Sequence, residues 1–170
     1  MPFDGSTLAT ATSVAFTAGV VTDSFQVGGS DVDMVRIELT AGNRYTIDID
    51  NGLDFLMRVF DAFGTEVFLN DDGARATDNL VNSLSPYAEF TPNYSGTYYI
   101  AVSPYYLKDY NPTSLTGRFS PENPLGNSNG NLFVTDTVLN FFPANGAINS
   151  ITTWRADPSC RHSVNTRAIA

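Results

Sequence analysis

Apolar and polar residues alternate along this chain in short runs separated by Gly, Asn and Asp. A period of two marks a strand that buries one face. Residues 12–17 (TSVAFT) and 21–27 (VTDSFQV) read as two edge strands. Between 34 and 39, Val35, Ile37 and Leu39 point one way and Arg36 and Glu38 the other. The next run repeats the pattern, with Tyr45, Ile47 and Ile49 inward and Thr46, Asp48 and Asp50 outward. Ala41-Gly42-Asn43 joins the two as a tight turn, so 34–50 is expected to be a hairpin. A second hairpin is expected where 55–60 and 65–69 flank Asp61-Ala62-Phe63-Gly64, and a third where 87–91 and 97–103 flank 92–96. Residues 120–131 (SPENPLGNSNGN) read as a polar loop and 132–142 (LFVTDTVLNFF) as a closing strand. Regular strand spacing without a helical period predicts an all-β protein built as an antiparallel β-sandwich.

Length and composition support one domain. The 170 residues are 42% hydrophobic, enough for a core, and the pattern divides them into a domain over 1–142 and a tail over 143–170. Helix formers are scarce, while Thr, Val, Tyr, Phe, Gly and Asn are plentiful. The net charge is -9. A chain so acidic is repelled by phosphate backbones and anionic membrane surfaces, which makes nucleic acid a poor partner and cations a natural one. The tail differs: it carries Arg155, Arg161 and Arg167 against Asp157 alone. That contrast fits docking on its own domain or on a neighbouring subunit, and equally a free terminus. No stretch approaches the roughly 18 apolar residues of a membrane span, and residues 1–16 show no basic, apolar export signal.

The residues that suggest chemistry are carboxylates. Of the 18 acids, 14 are Asp, and they gather in turns: Asp31 and Asp33, then Asp48, Asp50 and Asp54, then Asn70-Asp71-Asp72-Gly73. Calcium takes about six to eight oxygens from flexible loops of Asp, Asn and main-chain carbonyls. Alternate acids such as Asp31 and Asp33 fall on one side of an extended segment, and the adjacent Asp71 and Asp72 repel unless a cation separates them. The same residues read equally as solvated turn acids. A glycosidase would need two acids facing each other at about 5–10 Å, and the sequence singles out no pair. Cys160 is the one cysteine and His162 the one histidine, which excludes an internal disulfide and disfavours a histidine metal site or a Ser-His-Asp triad. In the aromatic run 98–106, Tyr98, Ile100 and Val102 are expected in the core, with Tyr105, Tyr106 and Tyr110 exposed.

Several motifs in fixed order resemble the bacterial pre-peptidase C-terminal domain family. They are Gly29-Ser30-Asp31-Val32-Asp33, Leu39-Thr40-Ala41-Gly42-Asn43-Arg44-Tyr45, Leu53 to Asp61, Phe63-Gly64-Thr65-Glu66, Asn70-Asp71-Asp72-Gly73 and Ser95 to Val102. The order holds over about residues 14–112. The resemblance implies a jelly-roll-like sandwich appended to secreted proteins, and it extends to the calcium-binding collagen-binding domains of clostridial collagenases. It implies Ca2+ as the cofactor, with Asp31 and Asp33 as the first choice of ligands and Asn70, Asp71 and Asp72 as the second. Two departures stand out: the N-terminal segment has only Asp4 where collagenase domains have an acidic linker, and the closing strand lacks the family's Gly-x-Tyr-Thr-Leu pattern. The expected function is a non-catalytic, calcium-stabilised binding or accessory module, extracellular or on the cell surface. Its expected partner is an extracellular protein or polysaccharide, or copies of itself. The alternatives are a subunit of an extracellular filament or surface assembly and, last, a carboxylate-pair hydrolase.

Overall fold

A computed structural model describes residues 5–50, 54–73, 84–115, 118 and 128–137. The 143–170 tail lies outside the described residues, as do positions 138–142 of the last expected strand. The elements are β1 (Thr12–Ser13), β2 (Val20–Val27), β3 (Asp33–Leu39), β4 (Tyr45–Asp50), β5 (Phe55–Asp61), β6 (Glu66–Asn70), β7 (Tyr87–Phe90), β8 (Gly96–Pro104) and β9 (Ser128–Asp136). They form two sheets, ordered β1-β3-β8-β5-β6 and β2-β9-β4-β7. All ladders are antiparallel except the short β1–β3 pair. The expected all-β sandwich is present, and among the described residues no helix is long and apolar enough to cross a membrane.

The predicted faces hold but two predicted hairpins do not. Val35, Ile37 and Leu39 of β3 and Tyr45, Ile47 and Ile49 of β4 are buried in the same core. Yet β3 pairs with β8 and β1, while β4 pairs with β9 and β7 in the opposite sheet. The 87–103 segment behaves likewise: β7 lies in one sheet and β8 in the other. Residues 40–44 and 91–95 therefore arch over the end of the sandwich. They brace each other there, with Gly42 N donating to Pro92 O at 3.0 Å and Ala41 N to Ser95 Oγ at 2.9 Å. Alternation reports which face of a strand is buried, not which strand lies beside it. The β5–β6 hairpin forms as expected, because Asp61 Oδ1 accepts from both Phe63 N and Thr65 N at 2.8 Å and closes the turn.

The main core lies between the sheets and includes Phe25, Tyr45, Phe55, Met57, Tyr98, Ile100 and Leu132. Tyr98 keeps its polar end satisfied by donating its hydroxyl to Tyr94 O at 3.0 Å. A second cluster covers the outer face of the five-stranded sheet, where Met34, Phe60, Ala101, Leu107 and Tyr110 meet Leu8 and Ala11. The last strand also begins earlier than its apolar run: Ser128, Asn129, Gly130 and Asn131, read as loop from the sequence, belong to β9 and pair with β2 and β4.

Candidate functional site

Strand direction gathers the acids. β3 and β5 start, and β6 and β8 finish, at one end of the five-stranded sheet. That end therefore carries Asp31 and Asp33, Asp54, Asn70 to Asp72, and the loop after β8 with Lys108 and Asp109. All five sequence-predicted ligands fall there. The register then divides them. Asp33 pairs with Val102, Val102 with Met57, and Met57 with Asn70. Three strand spacings, about 14 Å, separate Asp33 from Asn70. No single ion spans that distance, so the acids form two groups.

In the first group, Asp33 faces the inter-sheet space and is 1% exposed. Its Oδ2 accepts from Gln26 N of β2, in the opposite sheet, at 2.9 Å. Asp31 Oδ1 accepts from Val32 N at 3.0 Å. Asp31 also lies within electrostatic range of Arg118, a buried guanidinium whose pKa is lowered chiefly by its burial while Tyr110 and Asp31 act against that. Arg118 donates to Ser6 O and, at 3.4 Å, to Asn111 O.

The second group is richer in oxygen. Asn70 ends β6, Asp71 and Asp72 follow it, and Asp54 precedes β5 beside them. Burial raises the Asp54 pKa first, and the negative charges of Asp72 and Asp71 raise it further, with Lys108 opposing. Lys108 Nζ stands 3.4 Å from Asp71 Oδ2 on the surface. Asn70 Oδ1 is buried and, among the described residues, accepts no hydrogen bond. Also among the described residues, no three His, Cys, Asp or Glu side chains stand close enough to hold a metal between them. A hard cation here would draw on the Asn70 amide oxygen, main-chain carbonyls and water together with the carboxylates of Asp54, Asp71 and Asp72.

Asp54 and Lys108 are absent from the sequence-predicted set. The signal for Asp54 lay in the β5–β6 hairpin itself, since the register that sets Met57 opposite Asn70 brings Asp54 to the level of residues 72–73. The linkage sign follows from the raised pKa. Above its folded-state pKa, ionised Asp54 opposes folding; as pH falls through that value toward the ordinary aspartate value of 3.8, the folded state takes up the proton and the opposition is relieved. Asp54→Asn is therefore expected to raise the melting temperature at pH 7 without calcium, with the gain shrinking toward pH 4. Thermal melts across that range check it, and a variant less stable than wild type at pH 7 would contradict the assignment.

The aromatic expectation needs one correction. Tyr105 is exposed and Tyr106 half-buried, its hydroxyl donating to Gly29 O at 3.3 Å. Tyr110, expected on the surface, is 2% exposed. It is held between two guanidinium groups, Arg58 at 4.4 Å and Arg118 at 5.1 Å from its ring centre, and burial pushes its phenol pKa up. A loop tyrosine reads as exposed only until the loop folds back onto an outer sheet face. Near these residues, a cavity of about 400 Å³ is lined by Ser6, Thr7, Thr10, Thr113, Ser114 and Leu115, with no carboxylate or imidazole in its wall.

Together these features define a two-sheet β module with two groups of acids at one end of its five-stranded sheet. The family model of the bacterial pre-peptidase C-terminal domain matches residues 31–104, from Asp31 through β8. The resemblance read from the ordered motifs holds over that span. Curated protein sequences yield no match. Solved structures of similar fold include the periplasmic inhibitor of g-type lysozyme, PliG, from Aeromonas hydrophila (15% identity, 74% of this chain and 96% of that one, TM-score 0.45). The pre-peptidase C-terminal domain of Bacillus anthracis collagenase is similar at 14% identity over 74% of this chain and 92% of its own (TM-score 0.41). CorA, a surface-associated copper-binding protein of Methylomicrobium album BG8, is similar at 13% identity over 74% and 98% (TM-score 0.45).

Proposed function

We propose that the chain is a non-catalytic β-sandwich module that works outside the cytoplasm, and that its second acidic group takes Ca2+. The observation that carries the reading is the buried Asn70 Oδ1, which accepts no hydrogen bond among the described residues, at the end of the sheet where burial and then the charges of Asp72 and Asp71 raise the Asp54 pKa. Two further features support it. The matched family is one of accessory domains on secreted proteins, and extracellular calcium modules bind at about 10⁻⁴–10⁻³ M, a regime suited to a partly exposed, water-completed site. The macromolecular partner is an extracellular protein or polysaccharide, since the surface charge disfavours polyanions.

Calcium that binds only the folded state stabilises it by mass action, by about 2.7 kcal/mol when its concentration stands 100-fold above the Kd. Thermal melts from 0 to about 10 mM CaCl2 should rise accordingly, and Asp54→Asn combined with Asp71→Asn should abolish the rise. Melting curves that do not move with calcium would remove the cation from this reading. Direct titration calorimetry then gives the number of ions.

A further inference from the structure

The cavity is built by two loops that the family match does not include. Residues 6–10 form one wall and 113–115 the other, both outside the matched 31–104. Each loop is locked by its own turn chemistry. Thr7 N donates to Thr10 Oγ1 at 3.0 Å and Thr10 N to Thr7 O at 3.1 Å, while Thr113 N donates to Asn111 Oδ1 at 2.9 Å. Leu8 N joins the loops by donating to Pro112 O at 3.0 Å. The β5–β6 turn closes on the same pair, since a Cβ at Gly64 would stand 2.9 Å from Leu8 Cδ1 and 3.6 Å from Thr113 Cγ2.

Arg118 is the strut between the walls. It is 8% exposed, and one guanidinium nitrogen donates both to Ser6 O and, at 3.4 Å, to Asn111 O. Its Nε is buried and, among the described residues, makes no hydrogen bond. A buried donor without a partner opposes folding, so its retention points to what the side chain holds in place.

The lining selects a ligand class. Ser6, Thr7, Thr10, Thr113 and Ser114 carry hydroxyls, Leu115 completes the wall, and none of the six is charged. A hydroxyl both donates and accepts, so this wall matches a ligand that does the same. Leu115 is 66% exposed and gives the cavity an apolar lip. A charged ligand would lose hydration here and meet no counter-charge in the wall. A lipid chain would meet hydroxyls where it needs apolar surface. A sugar ring carries hydroxyls on its edge and C–H groups on its faces, and so meets both. The volume of about 400 Å³ falls toward the lower end of small-molecule sites, about 300–1,000 Å³, and suits one or two rings.

We propose that this cavity binds one or two rings of a neutral saccharide. The proposal rests on the polysaccharide side of the partner reading above and is independent of the calcium reading. Titrating the ¹⁵N-labelled full-length chain with glucose, galactose, mannose, N-acetylglucosamine, cellobiose and chitobiose is expected to shift the amide signals of residues 6–10 and 113–115 with at least one of them, at millimolar sugar, with or without calcium. Leu115→Ala, at an exposed position, should weaken that binding about tenfold, equivalent to about 1.4 kcal/mol of lost apolar contact. Ser6→Phe fills the cavity and should abolish binding in a chain that thermal melts show to be folded; should it fail to fold, Leu115→Ala carries the test. Glucuronic acid should bind more weakly than glucose. No shift with any of these sugars, shifts confined to other surfaces, binding unchanged by Leu115→Ala or by a folded Ser6→Phe, or a preference for glucuronic acid would each overturn the proposal. Melting curves indifferent to calcium would leave it standing, and failed sugar titrations would leave the cation site standing.

Discussion

Phe25→Ala is expected to destabilise the sandwich by about 3–5 kcal/mol, the range for emptying a buried phenylalanine site. Domains of this size are stable by only about 5–15 kcal/mol, so the variant should unfold at a much lower denaturant midpoint. The ring is 1% exposed and meets Phe55 edge-on with centroids 5.2 Å apart. Directly across the ladder from it is Gly130. A Cβ at that glycine would lie 2.2 Å from Phe25 Cζ, so the strand carries glycine because the ring occupies the space of a side chain. Gly130→Ala alone should cost about 1–3 kcal/mol or more through overpacking. In the Phe25→Ala background the same change should cost little, because the new methyl enters the space the ring has left. Urea denaturation of the two single variants and the double variant measures that coupling, and additive free energies would show that the ring and the glycine do not share the site.

The same glycine explains part of what the sequence conceals. Ser128-Asn129-Gly130-Asn131 reads as turn chemistry, yet its burial alternates with a period of two, Ser128 and Gly130 inside and Asn129 and Asn131 outside. The inward positions are small because Phe25 and its neighbours fill the volume from the other side, so the hydrophobic signal sits on β2 rather than β9. Face assignments on β3, β4 and β8 were legible because Val, Ile and Tyr recur at every second residue. Strand partners were not, because an arch between sheets and a hairpin within one leave the same alternation. The β5–β6 hairpin was legible because Asp61 and Gly64 encode its turn locally. Tyr110 was misjudged because its burial depends on Leu8 and Ala11, about a hundred residues away in sequence. The acidic end was visible as a set of Asp-rich loops, but its division into two groups depends on the β3–β8–β5–β6 register, a long-range property.

That division makes Asp33 a structural group first, and its replacement should show it. Its carboxylate is buried and ties the two sheets together by accepting from Gln26 N. A hydrogen bond to a charged acceptor contributes about 1.5–3 kcal/mol, and its loss also leaves the Gln26 amide at the β2 edge without this partner. Asp33→Ala is expected to lower stability by that amount. Asp33→Asn should lower it less, since an amide oxygen in the same place still accepts from Gln26 N. The calcium dependence separates this role from ligation. With Asp33 about 14 Å from Asn70 across three strand spacings, the calcium-induced rise in melting temperature should persist in Asp33→Ala on a lower baseline. Denaturation with and without calcium reads both quantities at once: a neutral Asp33→Ala would remove the edge cap from the account of stability, and loss of the calcium response would move Asp33 into the cation site that the register separates from it.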